Sequence, residues 1–322
     1  MILVIGEALI DLIGRSDSHG EYTAVVGGAN ANVALALARR GDEQQFLGRI
    51  SQDGFGQQIR QRLVSNSVNL DFSISAQEQT SLAVATIADS GSASYSFYVN
   101  GTADWGWTSA ELPSLETIQE LGAHAIQYGC LTMAMEPGNK VIEAWLAEIF
   151  AADTQTLSHD LNIRSALGFD RAKELKRVLR VNKFSHIVKA SDADLEWLFD
   201  LPEGSDVDQI SSDWSAGGKL VIITRGGEGA SIFRSGAKLD VLAPRINLAD
   251  TVGAGDTFMA NFLGELLDRD GLGSDPMARL ERLSDEEITA AGNFAAYAAA
   301  IVCERKGCEP PTKRETAQRL NQ

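Results

Sequence analysis

Cysteine and histidine are scarce in this chain of 322 residues, with three and four copies respectively. Cys130, Cys303 and Cys308 are an odd, sparse set without the paired spacing of a zinc site. They argue against a disulfide framework and suit a reducing compartment, so a cytoplasmic protein is expected. Basic residues are also short: 28 Lys and Arg stand against 44 Asp and Glu, a net charge of −16. That balance argues against a nucleic-acid partner and favours a soluble, self-repelling particle. An anionic substrate would need a local positive site. Long apolar runs are absent, and none approaches the length that crosses a bilayer, so no membrane partner is expected. The apolar start Met1–Ile5 lacks a basic leader and soon meets Glu7 and Asp11. It reads as a buried strand rather than a signal peptide.

A hydrophobic share of 44% is ordinary and sufficient, at this length, for a substantial core. Short β-rich runs alternate with helical patterns, which predicts an α/β fold with a mainly parallel sheet. Strands are expected over Met1–Leu9, Gln45–Ile50, Ala125–Gly129, Thr156–Asp160, His186–Lys189 and Leu220–Thr224. A helix is expected over Ala29–Arg40, closed by Gly41, and another over Gly54–Val64, where Ile59 and Leu63 stand four apart. Ser191 with Asp194, and Ser284 with Glu287, read as capping pairs heading two further helices. The acidic stretch Asp268–Asp275 reads as a surface loop. Tyr22–Val26 is a short β run, and two more flank Asp89-Ser90-Gly91-Ser92, a hairpin signal. With no internal repeat and no long linker, residues 1–322 are expected to form one domain.

The most informative stretch is Asp250-Thr251-Val252-Gly253-Ala254-Gly255-Asp256-Thr257-Phe258. It places a glycine-bearing turn directly before an apolar-periodic helix, with a carboxylate at the junction. Glycines permit backbone geometries closed to other residues. The first amides of a helix have no internal acceptor and carry partial positive charge, which suits an anion. Asp256 is then either a cap or a base held beside a phosphate. A second glycine motif, Gly27-Gly28-Ala29-Asn30-Ala31-Asn32-Val33-Ala34-Leu35-Ala36-Leu37-Ala38-Arg39-Arg40-Gly41, lies more than 200 residues upstream.

Both strings resemble signatures of the ribokinase-like (PfkB) carbohydrate kinases: D-T-x-G-A-G-D-x-F and G-G-x-x-x-N-x-A-x-x-L-A-x-x-G. The resemblance runs from Gly6-Glu7-Ala8-Leu9-Ile10-Asp11 to the C-terminal helix. It implies a three-layer α/β/α domain with a small β-sheet lid, built from about residues 12–26 and 82–104. It also implies phosphoryl transfer from ATP with Mg2+ to a sugar hydroxyl. Asp256 matches the catalytic base, and Gly253, Ala254, Gly255 and Asp256 the anion hole. Asp11, Gly27, Gly28 and Asn32 match sugar-contacting positions, where carboxylate and amide groups can bind vicinal hydroxyls.

Further matches follow along the chain. Thr224-Arg225-Gly226-Gly227-Glu228-Gly229 resembles the T-x-G-x-x-G nucleotide loop, giving Thr224, Arg225, Gly226 and Gly229 as nucleotide contacts. Lys189, also on the nucleotide side, ends the strand just before Ser191-Asp192-Ala193-Asp194, and Asn293 falls where relatives pack against adenine. Asp160-Leu161-Asn162-Ile163-Arg164 resembles a strand end between the two substrates, with Arg164 on sugar or transferred phosphate. Where the family often carries N-x-x-E for magnesium-bound water, this chain has Ser191 and Asp194. K+ beside Asp250 is a further implication, as is a homodimer through the lid.

The acceptor is read from Tyr95-Ser96-Phe97-Tyr98-Val99-Asn100-Gly101-Thr102-Ala103-Asp104-Trp105, which resembles the F-Y-x-x-G-x-A-D segment of fructokinase-like members. Phe97 or Tyr98 would cover an apolar sugar face, and only one of the two can, because strand neighbours point opposite ways. Two departures stand out. Asn100 replaces an arginine common in fructokinase relatives, and Ala29-Asn30 replaces their usual Ala-Pro pair. D-fructose, phosphorylated at its 6-hydroxyl, is the expected acceptor. Alternatives are 2-keto-3-deoxygluconate, ribose or a riboside, or a non-catalytic regulator on the same fold.

Overall fold

A computed structural model describes residues 1–15, 20–87 and 93–322. Its large sheet contains β1 (Ile2–Ile5), β4 (Gln44–Leu47), β9 (Ala125–Gly129), β10 (Thr156–Asp160), β11 (Ile187–Ser191), β12 (Leu220–Thr224), β13 (Ala230–Arg234) and β14 (Ala237–Val241). The order is β14-β13-β12-β11-β10-β9-β1-β4, parallel from β4 to β12, with β13 and β14 antiparallel. A second sheet contains β2 (Leu9–Arg15), β3 (Tyr22–Gly27), β7 (Leu82–Ile87) and β8 (Ala93–Tyr98), in the order β3-β2-β7-β8. Two short strands, β5 (Arg49–Ser51) and β6 (Ile74–Ala76), pair in parallel beside them.

The burial pattern explains the layering. Along β1 every residue is buried, but Ile2 and Val4 enter one apolar cluster while Leu3 and Ile5 enter another. Strand β12 divides likewise, with Leu220 and Ile222 on one side and Val221 and Ile223 on the other. Side chains alternate across a strand, so a continuous apolar run is a strand covered on both faces. One face carries the helices Ala29–Arg40, Ala254–Asp268 and Asp285–Cys303; the other carries Gly138–Ala152, Arg171–Val181 and Asp192–Phe199.

Several expected boundaries move. The run Met1–Leu9 is not one strand: β1 stops at Ile5 and the chain crosses to the second sheet at Leu9. The expected Gln45–Ile50 strand divides at Gly48 into β4 and β5, which belong to different sheets. The Asp268–Asp275 stretch is not all surface, because Leu272 inserts into the core between buried glycines. The hairpin β13–β14 went unread. Strands β7 and β8 do pair antiparallel, while the Asp89–Ser92 turn lies outside the described residues. Both capping pairs form reciprocally: Ser191 with Asp194, and Ser284 with Glu287.

Two helices meet around one buried charge. Arg40, whose side chain is 0% exposed, ends the Ala29–Arg40 helix. It binds Asp42 at 2.6 Å, Glu265 at 2.6 Å and also Asp268. Gly264 makes the room, since a Cβ there would stand 2.6 Å from the guanidinium. Removing one partner of a buried ion pair leaves the rest uncompensated. Arg40→Ala should therefore lower the unfolding free energy by about 3–5 kcal/mol, read from urea denaturation. A change below about 1 kcal/mol would show that the network contributes little.

Candidate active site

The turn before the Ala254–Asp268 helix takes its shape from Gly253, which is left-handed at φ 76 and caps the helix. The Ala254 amide bonds to Thr251 O at 3.2 Å and the Thr257 amide to Gly253 O at 2.8 Å. Of the first-turn amides, those of Gly255 and Asp256 are thus left to face outward. The sequence reading included Ala254 in the anion hole, and the structure commits its amide to the turn itself. Lys189 lies against this turn: a Cβ on Gly255 would sit 3.3 Å from its ammonium.

Asp256 occupies the first turn and is 7% exposed. Burial pushes its carboxyl up to about 7. The Asn32 amide restrains that rise, donating to Oδ2 at 2.8 Å, and the charges of Lys189 and Arg164 act the same way against Asp160. The two glycine motifs, distant in sequence, thus meet in one hydrogen bond. Asn32, expected to contact an acceptor, here gives its amide to Asp256.

Asp160 ends β10 and is the register partner of Lys189, which lies mid-strand in β11 rather than at its end; the two are joined at 2.7 Å and both buried. Burial works against the Lys189 charge, but Asp160 outweighs it and the ammonium pKa is raised. The second oxygen of Asp160, Oδ1, is buried without a partner among the described residues. Asp194 is fully engaged: Oδ1 accepts from the Ile163 amide and Oδ2 from the Ser191 amide, each at 2.8 Å. Arg164 is exposed, and its charge acts on both Asp11 and Asp256.

Asp11 sits in β2 on the face that looks toward these groups. Burial lifts its carboxyl to about 6, with Arg164 pulling the other way. Gly27 yields space to it, since a Cβ there would meet Asp11 Oδ2 at 2.1 Å. Gly28, at φ 105, lets the chain pass 2.5 Å from Glu7 O as measured from an added Cβ. Asp11 pairs with Ala83 and Ala83 with Phe97, so Asp11 and Phe97 share one face of the small sheet. Phe97 packs with Val99, Trp105, Cys130 and Leu131, while Tyr98 points away and is 62% exposed. Of the two aromatics, Phe97 is the one on the Asp11 face.

The remaining residues are more dispersed. Thr224 bonds to Ala190 O, and the Arg225 guanidinium is committed to Ser231 and Asp208, each at 2.7 Å. Gly226 and Gly229 take positive φ in the turn that launches β13. Asn293 is half-exposed on the Asp285–Cys303 helix. Asp250 ties its own turn to Gly307, accepting from the Val252 and Gly307 amides. An open groove lined by Phe169, Arg171, Trp197 and Phe199 contains none of the clustered carboxylates. Among the described residues no group of His, Cys, Asp and Glu forms a ready metal cage.

A profile of the pfkB family carbohydrate kinases matches residues 1–315. The chain belongs to the pfkB carbohydrate kinase family. This kinase is 36% identical over 269 residues to a fructokinase of Rhizobium leguminosarum bv. trifolii, covering 83% of this chain and 79% of that one. It shares the fold of the ATP-bound fructokinase of Xylella fastidiosa, with a TM-score of 0.87 at 24% identity over 99% of this chain and 98% of the other. A double-mutant fructokinase of Vibrio cholerae O395, bound to fructose, ADP and a potassium ion, aligns with a TM-score of 0.80 at 23% identity. It is covered over 97%, against 99% of this chain.

Sequence reading passed over the polar supports of the kinase site. Glu7 is buried and receives the Ala29 amide, the Asn30 amide and the Thr132 hydroxyl. Asn30, noted only as a departure, fills the gap beside Gly6, and that gap is the signal for its role. Asp104 is buried and receives the Ala8 amide at 2.9 Å and the Ser81 hydroxyl.

The raised Asp256 pKa has a definite sign. The folded state holds this proton between the unfolded value near 4 and about 7, so its stabilising contribution is lost as pH rises through that window. Asp256→Asn has no such loss. The Tm of the variant relative to the parent should increase between pH 5 and pH 8, while Asp11 and Asp104 cancel in the difference. A pH-independent difference would place an ordinary carboxylate at this position.

Proposed function

We propose that this chain transfers the γ-phosphoryl group of ATP to the 6-hydroxyl of D-fructose, with Asp256 as general base. The observation that carries the reading is the Asn32–Asp256 hydrogen bond of 2.8 Å, which joins the sugar motif to the anion-binding helix end. A base with a pKa near operating pH is suited to accept a hydroxyl proton as the oxygen becomes a nucleophile. Ionised Asp256 takes that proton while the oxygen attacks the γ-phosphorus and ADP departs in line. The outward amides of Gly255 and Asp256, with Lys189 and Arg164 nearby, oppose the charge on the moving group.

The small sheet serves in this reading as the lid of a single kinase domain. Asp11 would hold acceptor hydroxyls and Phe97 would lie against the apolar ring face, with Gly27 and Gly28 allowing close approach. The fructokinase of Rhizobium supports fructose, and Asn100 in place of arginine leaves one fewer cation for an acidic sugar. The turn with Thr224, Gly226 and Gly229, together with Asn293, would flank the nucleotide; Arg225 would act there through the turn it braces. Pairing of two copies through the lid is supported by Tyr22 and Tyr98, exposed on its outer strands. A reducing cytosol, where ATP is plentiful, suits three free cysteines.

Magnesium fits the donor set as an ion held chiefly by phosphate and water, with Asp160 Oδ1, which has no partner among the described residues, as the protein oxygen that would serve it. Bound there, Mg2+ supplies charge neutralisation of the phosphates. Asp194, with both oxygens engaged, shapes the loop beside it. Potassium near Asp250 belongs to the same reading, because that carboxylate holds together the two loops that would surround it.

Release of ADP from magnesium-ATP should be fastest with fructose in a panel that includes 2-keto-3-deoxygluconate, ribose, glucose and adenosine. The kcat/KM should rise with pH through about 7, as Asp256 ionises. Asp256→Asn should lower kcat by about 10²–10⁴ while ATP binding by calorimetry persists. Preference for another acceptor would remove fructose, and full turnover in the variant would remove the base.

A further inference from the structure

The chain enters or leaves the small sheet at four places: residues 6–8, 28, 77–81 and 99–102. Separate strands entering a small sheet would ordinarily flex independently unless something joins them. Here the four crossings converge on two buried carboxylates. Asp104 Oδ1 accepts the Ala8 amide of the first crossing at 2.9 Å, and Oδ2 accepts the Ser81 hydroxyl of the third. The Ser81 hydroxyl in turn meets Thr102 Oγ1 of the fourth, and the Ala103 amide bonds to Gln79 O at 2.9 Å.

Glu7 completes the ring behind it. Its carboxylate accepts the Ala29 amide at 3.0 Å and Asn30 Nδ2 at 3.1 Å, both just after the second crossing. Its other contact, from the Thr132 hydroxyl at 2.6 Å, roots the assembly beside β9. Glu7, Ser81 and Asp104 are almost fully buried, so none of these bonds competes with water. The outermost crossing is fixed twice more: Trp105 Nε1 donates to Val99 O at 2.7 Å, and Arg49 Nε to Ala103 O at 2.9 Å.

We infer that Asp104, backed by Glu7, is a positioning residue that seats the small sheet, and with it Asp11 and Phe97, over Asp256. It touches no reacting atom in this arrangement. Its effect reaches the acceptor because Ala8 immediately precedes β2, which carries Asp11, and Ser81 immediately precedes β7, whose Ala83 lies between Asp11 and Phe97. The nucleotide-side groups Lys189, Thr224 and Asn293 stand on elements outside this ring. The inference rests on the acceptor-site reading above, so its test includes a readout that does not depend on activity.

Asp104→Ala removes both acceptors, whereas Asp104→Asn keeps an oxygen for the Ala8 amide and an amide for Ser81. In the alanine variant the acceptor KM should rise at least tenfold while the KM for ATP changes less than twofold. The asparagine variant should return the acceptor KM to within about threefold of the parent. Hydrogen exchange should quicken together across β2, β7 and β8 in Asp104→Ala, with β1 and β9 unchanged. If Asp104→Ala does not fold, Ser81→Ala removes one limb of the ring and should show the same pattern in smaller degree. A folded alanine variant with parental acceptor KM and parental exchange overturns the inference, as does an equal rise in both KM values. If the parent turns over no acceptor, the functional reading fails, and the exchange pattern alone decides the role of Asp104.

Discussion

A carboxylate taken out of water beside a helix N-terminus is the constraint around which this kinase is arranged. Left alone, a buried Asp256 would keep its proton and serve no purpose as a base. The helix end, the Asn32 amide and the charges of Lys189 and Arg164 all favour the ionised form, while burial and Asp160 oppose it. The balance falls at about 7. Every element that contributes to the balance must be held in place, which explains why the Asn32 and Asp256 helices are tied to each other at their far ends by Arg40. One end of the helix pair tunes the chemistry, and the other keeps the pair in register.

The small sheet obeys a different logic. Its Asp11–Ala83–Phe97 row is a flat patch of mixed character, acid at one side and aromatic at the other. Holding that patch at a fixed distance from Asp256 needs a firm attachment. Strands alone do not supply that, because a four-stranded sheet joined by turns has no rigid attachment of its own. The buried bonds of Glu7 and Asp104 provide the attachment, and they do so with side chains from the very segments that cross.

Most of the large sheet was legible in the sequence because its strands are short apolar runs separated by helices. The two glycine motifs were legible because they are long and far apart. The break between β1 and β2 was not, since Gly6-Glu7-Ala8 is a short interruption between two apolar runs and periodicity does not register a turn within it. Glu7 is buried at that turn by Ala29, Asn30 and Thr132, partners distant in sequence. Leu272 escaped notice for a similar reason: a lone apolar residue in an acidic stretch gives no pattern until its pocket exists. Roles at Asp104 and Asp160 likewise depend on partners distant in sequence, and only the fold brings those partners together.

Asp194 carries a consequence of another kind. Its carboxylate holds the Ile163 amide, next to Arg164, and the head of the Asp192–Phe199 helix, which follows directly from Lys189 and β11. The loop that carries Arg164 and the strand that carries Lys189 therefore share a single anchor. Whatever orders one of them lessens the entropy that remains to be lost by the other.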